Sequence, residues 1–80
     1  MKIIKIKTPR YTVNRIIKIE QIGKYSDYLL YIGDLLVYRS PKKAEVELVM
    51  TELLSGKRLL SKAELHKLED YHYKVVLRNK

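Results

Sequence analysis

The stretch YLLYIGDLLVYR, residues 28–39, decides the fold. Two apolar runs, Tyr28–Ile32 and Leu35–Arg39, flank the dipeptide Gly33-Asp34. Apolar and aromatic runs on either side of a two-residue loop that contains glycine are typical of an antiparallel β-hairpin. The sequence therefore predicts two paired strands in the middle of the chain.

The two-residue loop also predicts which hairpin side chains share a face. It pairs Ile32 with Leu35, Leu30 with Val37, and Tyr28 with Arg39. The aliphatic face, which we predict to be the core, contains Leu30, Ile32, Leu35 and Val37. The second face is too apolar to be simply solvated, so we expect the chain, a second subunit or a ligand to cover it. This second face contains Leu29, Tyr31, Leu36 and Tyr38.

Two further strands are predicted before the hairpin. Residues 2–8 alternate, with Ile4 and Ile6 on one side and lysines on the other, as in a half-buried strand. Pro9 ends this strand because it has no N–H to donate to a ladder. Residues 11–22 form a long β-branched run, in which the doubled Ile16-Ile17 interrupts the alternation and predicts a bulge or bend.

The second half of the chain has helical patterning. Ser40-Pro41 is an N-cap signal for a helix over residues 40–56, with Gly56 as its left-handed stop. Ser61 and Glu64 form a capping box for a helix over 61–78, although alternation in residues 71–78 suits a strand equally well. The core stripe of the first helix contains Val46, Val49, Met50, Leu53 and Leu54.

These elements predict a single α+β domain over residues 1–80. A small antiparallel sheet of three or four strands occupies residues 1–39, and the two helices at 40–56 and 61–78 pack on one of its faces. Eighty residues are enough for one core.

Composition excludes several classes of protein. There are no cysteines, so disulfide frameworks and thiolate metal sites are excluded. No apolar run reaches the ~18 residues that a membrane span needs, and Lys5 interrupts the apolar N-terminal stretch. We therefore expect a cytoplasmic protein with no cofactor, no metal and no small-molecule substrate.

The strongest functional signal is charge. The chain has 17 basic and 9 acidic residues, for a net charge of +8. Residues 1–26 carry +6, residues 27–56 carry −2, and residues 57–80 carry +4. A basic sheet of this kind is typical of proteins that neutralise phosphates, and the sequence leaves DNA and RNA open. The predicted nucleic-acid contacts are Lys5, Lys7, Arg10, Arg15, Lys18, Lys24, Tyr31 and Tyr38.

A second basic element lies on the C-terminal helix. It is either a recognition helix for a major groove or simply an amphipathic packing helix. Its basic residues are Lys62, Lys67, Lys74 and Arg78.

The hairpin and the helix after it also carry a family resemblance. The segments Leu35–Ser40 and Lys43-Ala44-Glu45, within residues 15–56, resemble the arm-type DNA-binding domains of tyrosine recombinases. This chain differs from that family in its additional N-terminal strand and its second capped helix. The resemblance implies a sheet laid in a DNA major groove with the helix behind it, and base- or phosphate-facing positions for Arg15, Lys18 and Tyr31. From the basic sheet as a whole we expect a small DNA-binding, regulatory protein of the kind found in mobile elements or viruses.

Two other functions compete with nucleic-acid binding. The Tyr/Leu face of the hairpin suits a homodimer, an inhibitor or another protein-interaction module. A small basic ribonuclease would need His66 or His72 as its acid–base group. These two histidines are six residues apart and fall on different faces of a helix, so we expect no enzymatic activity.

Overall fold

The computed structural model describes residues 2–77. Its four strands form one antiparallel sheet in chain order, and two α-helices follow the sheet. The strands are β1 (Lys2–Lys7), β2 (Thr12–Gln21), β3 (Tyr28–Ile32) and β4 (Leu35–Ser40). The helices are α1 (Lys43–Ser55) and α2 (Lys62–Tyr71), and α2 continues into a π-helical segment, His72–Leu77. This order confirms the predicted α+β class.

Both helices pack on the same face of the sheet. Alternate residues of β1, β2 and β3 point towards them, as the period of two in a strand requires. The sheet contributes Ile4, Ile6, Val13, Ile17, Leu30 and Ile32 to the core. The helices contribute Val46, Val49, Met50, Leu53 and Leu68. Four of the five predicted stripe positions on α1 are therefore buried, whereas Leu54 is 39% exposed.

The β3–β4 turn confirms the predicted two-residue loop and corrects the predicted register. Ile32 pairs with Leu35 as expected, and Gly33 takes a φ of 59°, which a side chain would strain. The register then shifts, so that Leu30 pairs with Tyr38 rather than with Val37. This bulge leaves Val37 without a Cα partner. It turns Tyr38 towards the helices, onto the same face as Leu30.

The long strand β2 is regular where a bulge was predicted. Both of its ladders run without a register shift, with Ile16 opposite Ile3 and Ile17 opposite Ile32. Ile17 is buried in the core, while Ile16 is 43% exposed on the other face. The doubled isoleucine thus places one apolar side chain on each face of an unbroken strand.

The start of α1 also differs from the prediction. Lys42, not Ser40, is the N-cap residue, and its side chain makes no capping hydrogen bond. Ser40 instead ends β4, where its buried hydroxyl donates to Glu45 Oε2 at 2.6 Å and accepts from the Lys42 N–H at 3.1 Å. At the other end, Gly56 takes a φ of 81° and is the predicted left-handed stop.

The start of α2 matches the prediction, and its end is more unusual. Ser61 and Glu64 form a reciprocal capping box. The chain remains helical to Leu77 rather than forming a strand, but residues 72–77 have π-helical hydrogen bonding. The predicted last helical residue, 78, lies outside the described residues. None of the helices within residues 2–77 has the length and apolarity needed to cross a membrane.

Candidate nucleic-acid interface

The sheet face opposite the helices, which we call the open face, is the main candidate surface. Within residues 2–77, the helices pack only against the other side of the sheet. The strand register assigns twelve residues to the open face, because each alternates with a residue that points towards the helices. They are Ile3, Lys5, Lys7, Thr12, Asn14, Ile16, Lys18, Glu20, Leu29, Tyr31, Leu36 and Arg39.

The centre of the open face is apolar and partly in contact with solvent. Ile3 is 62% exposed, Ile16 43% and Leu36 40%. Tyr31 is half-buried between its cross-strand partners Lys18 and Leu36, and Leu29 is buried in the next row. Of the three alternatives for covering the Tyr/Leu face, coverage by the chain itself does not hold for Leu36. The predicted membership of that face is wrong for Tyr38.

Two cations of the open face are neutralised by neighbouring carboxylates. Lys18 Nζ lies 3.0 Å from Glu20 Oε1, and Arg39 Nη2 lies 3.1 Å from Asp27 Oδ2. The hydrogen bond to Glu20, reinforced by the charge of the same carboxylate, raises the pKa of Lys18 above its ordinary value of 10.5. These two side chains therefore contribute little free positive charge to the open face.

Lys5 and Lys7 on β1 are different. Their cross-strand neighbours are the neutral residues Asn14 and Thr12, and both lysines are exposed. Neither forms an ion pair with any residue in the described part of the chain. Because like charges two residues apart on one strand reinforce each other's field, they make the β1 side of the open face its most positive part.

Arg15, a predicted contact, lies on the helix-covered face instead. Its guanidinium carbon is 5.5 Å from the centre of the Tyr71 ring, and Nη2 is 3.1 Å from His72 Nδ1. Nη1 donates to the Asn14 carbonyl at 2.8 Å, and the buried Nε has no partner among the described residues. The structure does not bring Arg15 together with Lys5 and Lys7.

Tyr38 is also separated from the open face by the β4 bulge. It packs against the core, and the Arg58 guanidinium carbon lies 5.8 Å from its ring centre. A Tyr38 ring held between core and cation is not presented to a ligand on the opposite side of the sheet.

Arg10 and Lys24 lie in turns at the two ends of the sheet. The Arg10 guanidinium stands 5.4 Å from the Tyr11 ring centre, and its backbone N–H donates to the buried Glu69 carboxylate at 2.6 Å. Lys24 Nζ is 5.8 Å from the ring centre of the exposed Tyr25. Both cations flank the open face without belonging to it.

The basic residues of the C-terminal helix do not form one surface. Lys62 lines a cavity with Pro9 and His66, whereas Lys67 lines another with Arg15 and Tyr71. Lys74 is exposed on the π-helical segment, and Arg78 lies outside the described residues. α2 packs with Leu68 in the core, as the amphipathic interpretation predicts.

The histidines do not assemble into a catalytic or metal-binding group. His66 Nε2 is 3.8 Å from Asp70 Oδ2 at the surface, one helical turn away. His72 contacts the Tyr11 ring, with 5.1 Å between ring centres, on the other side of α2. Among residues 2–77 no three side chains of the metal-ligating types come together.

Sequence reasoning missed Ile3, Ile16 and Arg39 as members of the open face. Ile3 precedes Ile4, so in a regular strand it shares the side of Lys5 and Lys7. The same alternation, carried through β2 without a bulge, assigns Ile16 to that side. Strict alternation along β1 and β2 would have assigned both residues to this face. The pairs Ile3-Ile4 and Ile16-Ile17 hid it, because two adjacent isoleucines look like a break in the alternation.

The chain was also compared with known proteins. No protein-family model, no curated protein and no solved structure matches it.

Proposed function

We propose that this protein binds nucleic acid through the open face of its sheet, in a regulatory rather than an enzymatic role. The observation that carries the proposal is the pair Lys5 and Lys7, exposed and without a carboxylate partner in the described chain, beside the partly exposed apolar residues Ile3 and Ile16. Phosphates would neutralise the lysines, and apolar surface would be covered at the same time.

The distribution of charge favours a polyanionic partner. Two acidic groups at the open face, Glu20 and Asp27, are already engaged by Lys18 and Arg39. An incoming phosphate meets two ammonium groups on β1 that have no carboxylate partner in the described part of the chain. This arrangement lowers the electrostatic cost of approach and steers association.

The resemblance to recombinase arm-type domains supports the proposal in part. Lys18 and Tyr31, which that resemblance places against DNA, both lie on the open face in paired strands. Arg15, the third residue, lies under the C-terminal segment and is a structural residue in this fold.

The proposal is tested with a labelled mixed-sequence oligonucleotide and a charge-reversed variant. In fluorescence anisotropy at about 50 mM salt, the wild type should bind and the double variant Lys5→Glu, Lys7→Glu should not. The matched control is Lys62→Glu, Lys67→Glu, which changes the same charge on the helix side of the molecule. Loss of binding in the control alone would assign the interface to α2, and no binding by the wild type would end the proposal.

A protein–protein interface is the second candidate, because three large aliphatic side chains of the open face are 40–62% exposed. They are Ile3, Ile16 and Leu36. Size-exclusion chromatography distinguishes this function from the first: a dimer in the absence of nucleic acid that Leu36→Arg converts into a folded monomer would identify the open face as an interface between copies. A monomer at all concentrations would leave nucleic acid as the ligand.

A further inference from the structure

The outer edge of β1 has no strand beside it, because β1 is the first strand of the sheet and pairs only with β2. Where these two strands join, the Thr8 N–H donates to the Tyr11 carbonyl at 2.8 Å. Successive residues of a strand turn their backbone groups to opposite edges, so the even-numbered residues of β1 bond to β2. The odd-numbered residues therefore turn their N–H and C=O groups out of the sheet, where no described residue meets them. They are Ile3, Lys5 and Lys7.

A cavity of about 210 Å³ lies beside this edge, between β1 and the connection from α1 to α2. Its apolar lining is formed by Ile4, Ile6, Leu53, Leu59, Leu60 and Leu65. Leu59 is 86% exposed, so the cavity has a large apolar side chain on its solvent side. Pockets for drug-sized molecules have about 300–1,000 Å³, so this smaller cavity suits the side chains of a polypeptide better than a cofactor.

The residues of β1 determine which side chains an added strand should carry. Neighbouring strands place opposed side chains on the same face of a sheet. Side chains opposite Ile4 and Ile6 would therefore point to the helix side, into the apolar cavity. Side chains opposite Lys5 and Lys7 would lie beside two ammonium groups that have no carboxylate partner in the described chain. The β1 edge thus fits a segment in which apolar and acidic residues alternate.

We infer that β1 binds an extended segment of a partner protein, with alternating apolar and acidic residues, as a fifth strand of the sheet. Backbone hydrogen bonds would hold the segment, and the cavity and the lysines would select its side chains. The β1 edge of a second copy is a poorer occupant, because it would bring Lys5 and Lys7 of both copies together, and like charges on neighbouring strands repel. Nucleic-acid binding is not needed for this interaction, although the two lysines take part in both.

The first test uses a labelled peptide of six residues, the length of β1, in which Glu and Val alternate. The control peptide has the same composition, with all its Glu residues before its Val residues. Both peptides carry the same charge, so general attraction to a basic protein would bind them equally. Fluorescence anisotropy should show at least about tenfold tighter binding of the alternating peptide. Equal affinities, or no binding of the alternating peptide, would overturn the inference.

Backbone pairing is tested with two N-methylated forms of the alternating peptide, one methylated at its Glu amides and the other at its Val amides. Only one of these two sets of N–H groups can face β1. One form should therefore lose at least about tenfold in affinity, while the other should bind as the parent peptide does. Similar affinities of the two forms would show that the peptide does not bind as a strand.

Leu59→Asp tests the cavity, because Leu59 lines it and is exposed enough to be replaced without loss of the fold. It should weaken binding of the alternating peptide at least about fivefold and leave the melting temperature unchanged. The matched control is Leu48→Asp, at a position on α1 that is 60% exposed and outside the cavity, and it should bind the peptide as the wild type does. Equal peptide affinities of the two variants would contradict the inference.

The same two variants separate this inference from the proposed function. They carry the same charge and differ only on the helix side of the sheet, so their affinities for an oligonucleotide should agree. Oligonucleotide binding without peptide binding would overturn the inference and leave the proposed function standing. Peptide binding without oligonucleotide binding would do the reverse.

Discussion

Arg15 Nη2 lies 3.1 Å from His72 Nδ1 and so joins β2 to the C-terminal π-helical segment across 57 positions of the chain. A guanidinium can only donate, so Nδ1 is the acceptor and the imidazole proton is on Nε2. The Tyr71 ring lies against the same guanidinium. Arg15 therefore holds the end of α2 to the sheet.

Because Arg15 contacts His72 and Tyr71 on the helix side, Arg15→Ala should lower the stability of the fold without weakening the proposed binding of nucleic acid. The free energy of unfolding should fall by about 1–3 kcal/mol in chemical denaturation, because the hydrogen bond to His72 and the packing on Tyr71 are both lost. The salt dependence of nucleic-acid binding should stay the same. Lys18→Ala, on the other face of the same strand, is the control and should leave the melting temperature unchanged. A weaker dependence of nucleic-acid affinity on salt in Arg15→Ala would show that Arg15 contacts a phosphate after all.

Salt dependence should report the β1 lysines directly. Each neutralised phosphate contributes about −0.7 to the slope of log affinity against log salt for a single strand and about −0.9 for a duplex. The double variant Lys5→Ala, Lys7→Ala should therefore flatten the slope by about 1.4 to 1.8. The variant Lys62→Ala, Lys67→Ala should leave it unchanged, and a slope that responds only to the α2 pair would contradict the assignment to the open face.

Removing Glu20 should release a third cation. With Glu20→Gln, the pKa of Lys18 should fall towards its ordinary value of 10.5, because its hydrogen-bonded carboxylate is gone. In the wild type, Lys18 is protonated and ion-paired with Glu20 at neutral pH. The ion pair is lost only as the pH rises above the raised pKa of Lys18. Side-chain NMR titration measures the pKa, and the salt slope should steepen by about 0.7 as Lys18 becomes free for a phosphate. Glu47→Gln, at an exposed position on α1, should change neither quantity.

The start of α1 should depend on Glu45. Its carboxylate accepts from the buried Ser40 hydroxyl, which in turn accepts from the Lys42 N–H, so Glu45→Ala breaks a chain that supports an otherwise uncapped helix. Thermal and denaturant melts should show a loss of about 1–2 kcal/mol. Glu47→Ala, two residues further along α1 and exposed to solvent, should change the free energy of unfolding by no more than about 0.5 kcal/mol. Equal losses of stability in the two variants would show that the Ser40–Glu45 hydrogen bond does not stabilise the start of α1.

The helix–sheet core should not tolerate a charge. Val49 is 4% exposed on the buried side of α1, so Val49→Asp would place a carboxylate among aliphatic side chains with no partner. We expect this variant to be unfolded by circular dichroism at 25 °C, since small domains have a net stability of only about 5–15 kcal/mol. A cooperative melt close to that of the wild type would show that the α1 face is assigned wrongly.

Local chemistry made much of the fold predictable. Gly33-Asp34 between two apolar runs fixed the hairpin turn, Ser61 with Glu64 marked the start of α2, and Gly56 marked the end of α1. Each of these signals depends on backbone geometry or capping within a few residues, so it does not depend on how the rest of the chain packs.

The candidate site was less predictable because it depends on which side of a strand a residue occupies. The run Leu35–Tyr38 is apolar throughout, so it contains no alternation to reveal the bulge that moves Tyr38 to the helix side. Arg15 has the same charge as Lys5 and Lys7, and only the strand register shows that it points the other way. Charge composition predicted a basic sheet, but not which of its cations share a face.

The position of β1 at the edge of the sheet has a consequence of its own. An edge strand offers a row of free backbone donors and acceptors on which a second sheet can grow, and natural proteins often place lysines there to prevent this. Lys5 and Lys7, which we propose as phosphate contacts, therefore also protect this edge from pairing with another sheet. Substitutions that neutralise these two lysines should therefore also make the protein more prone to edge-to-edge aggregation.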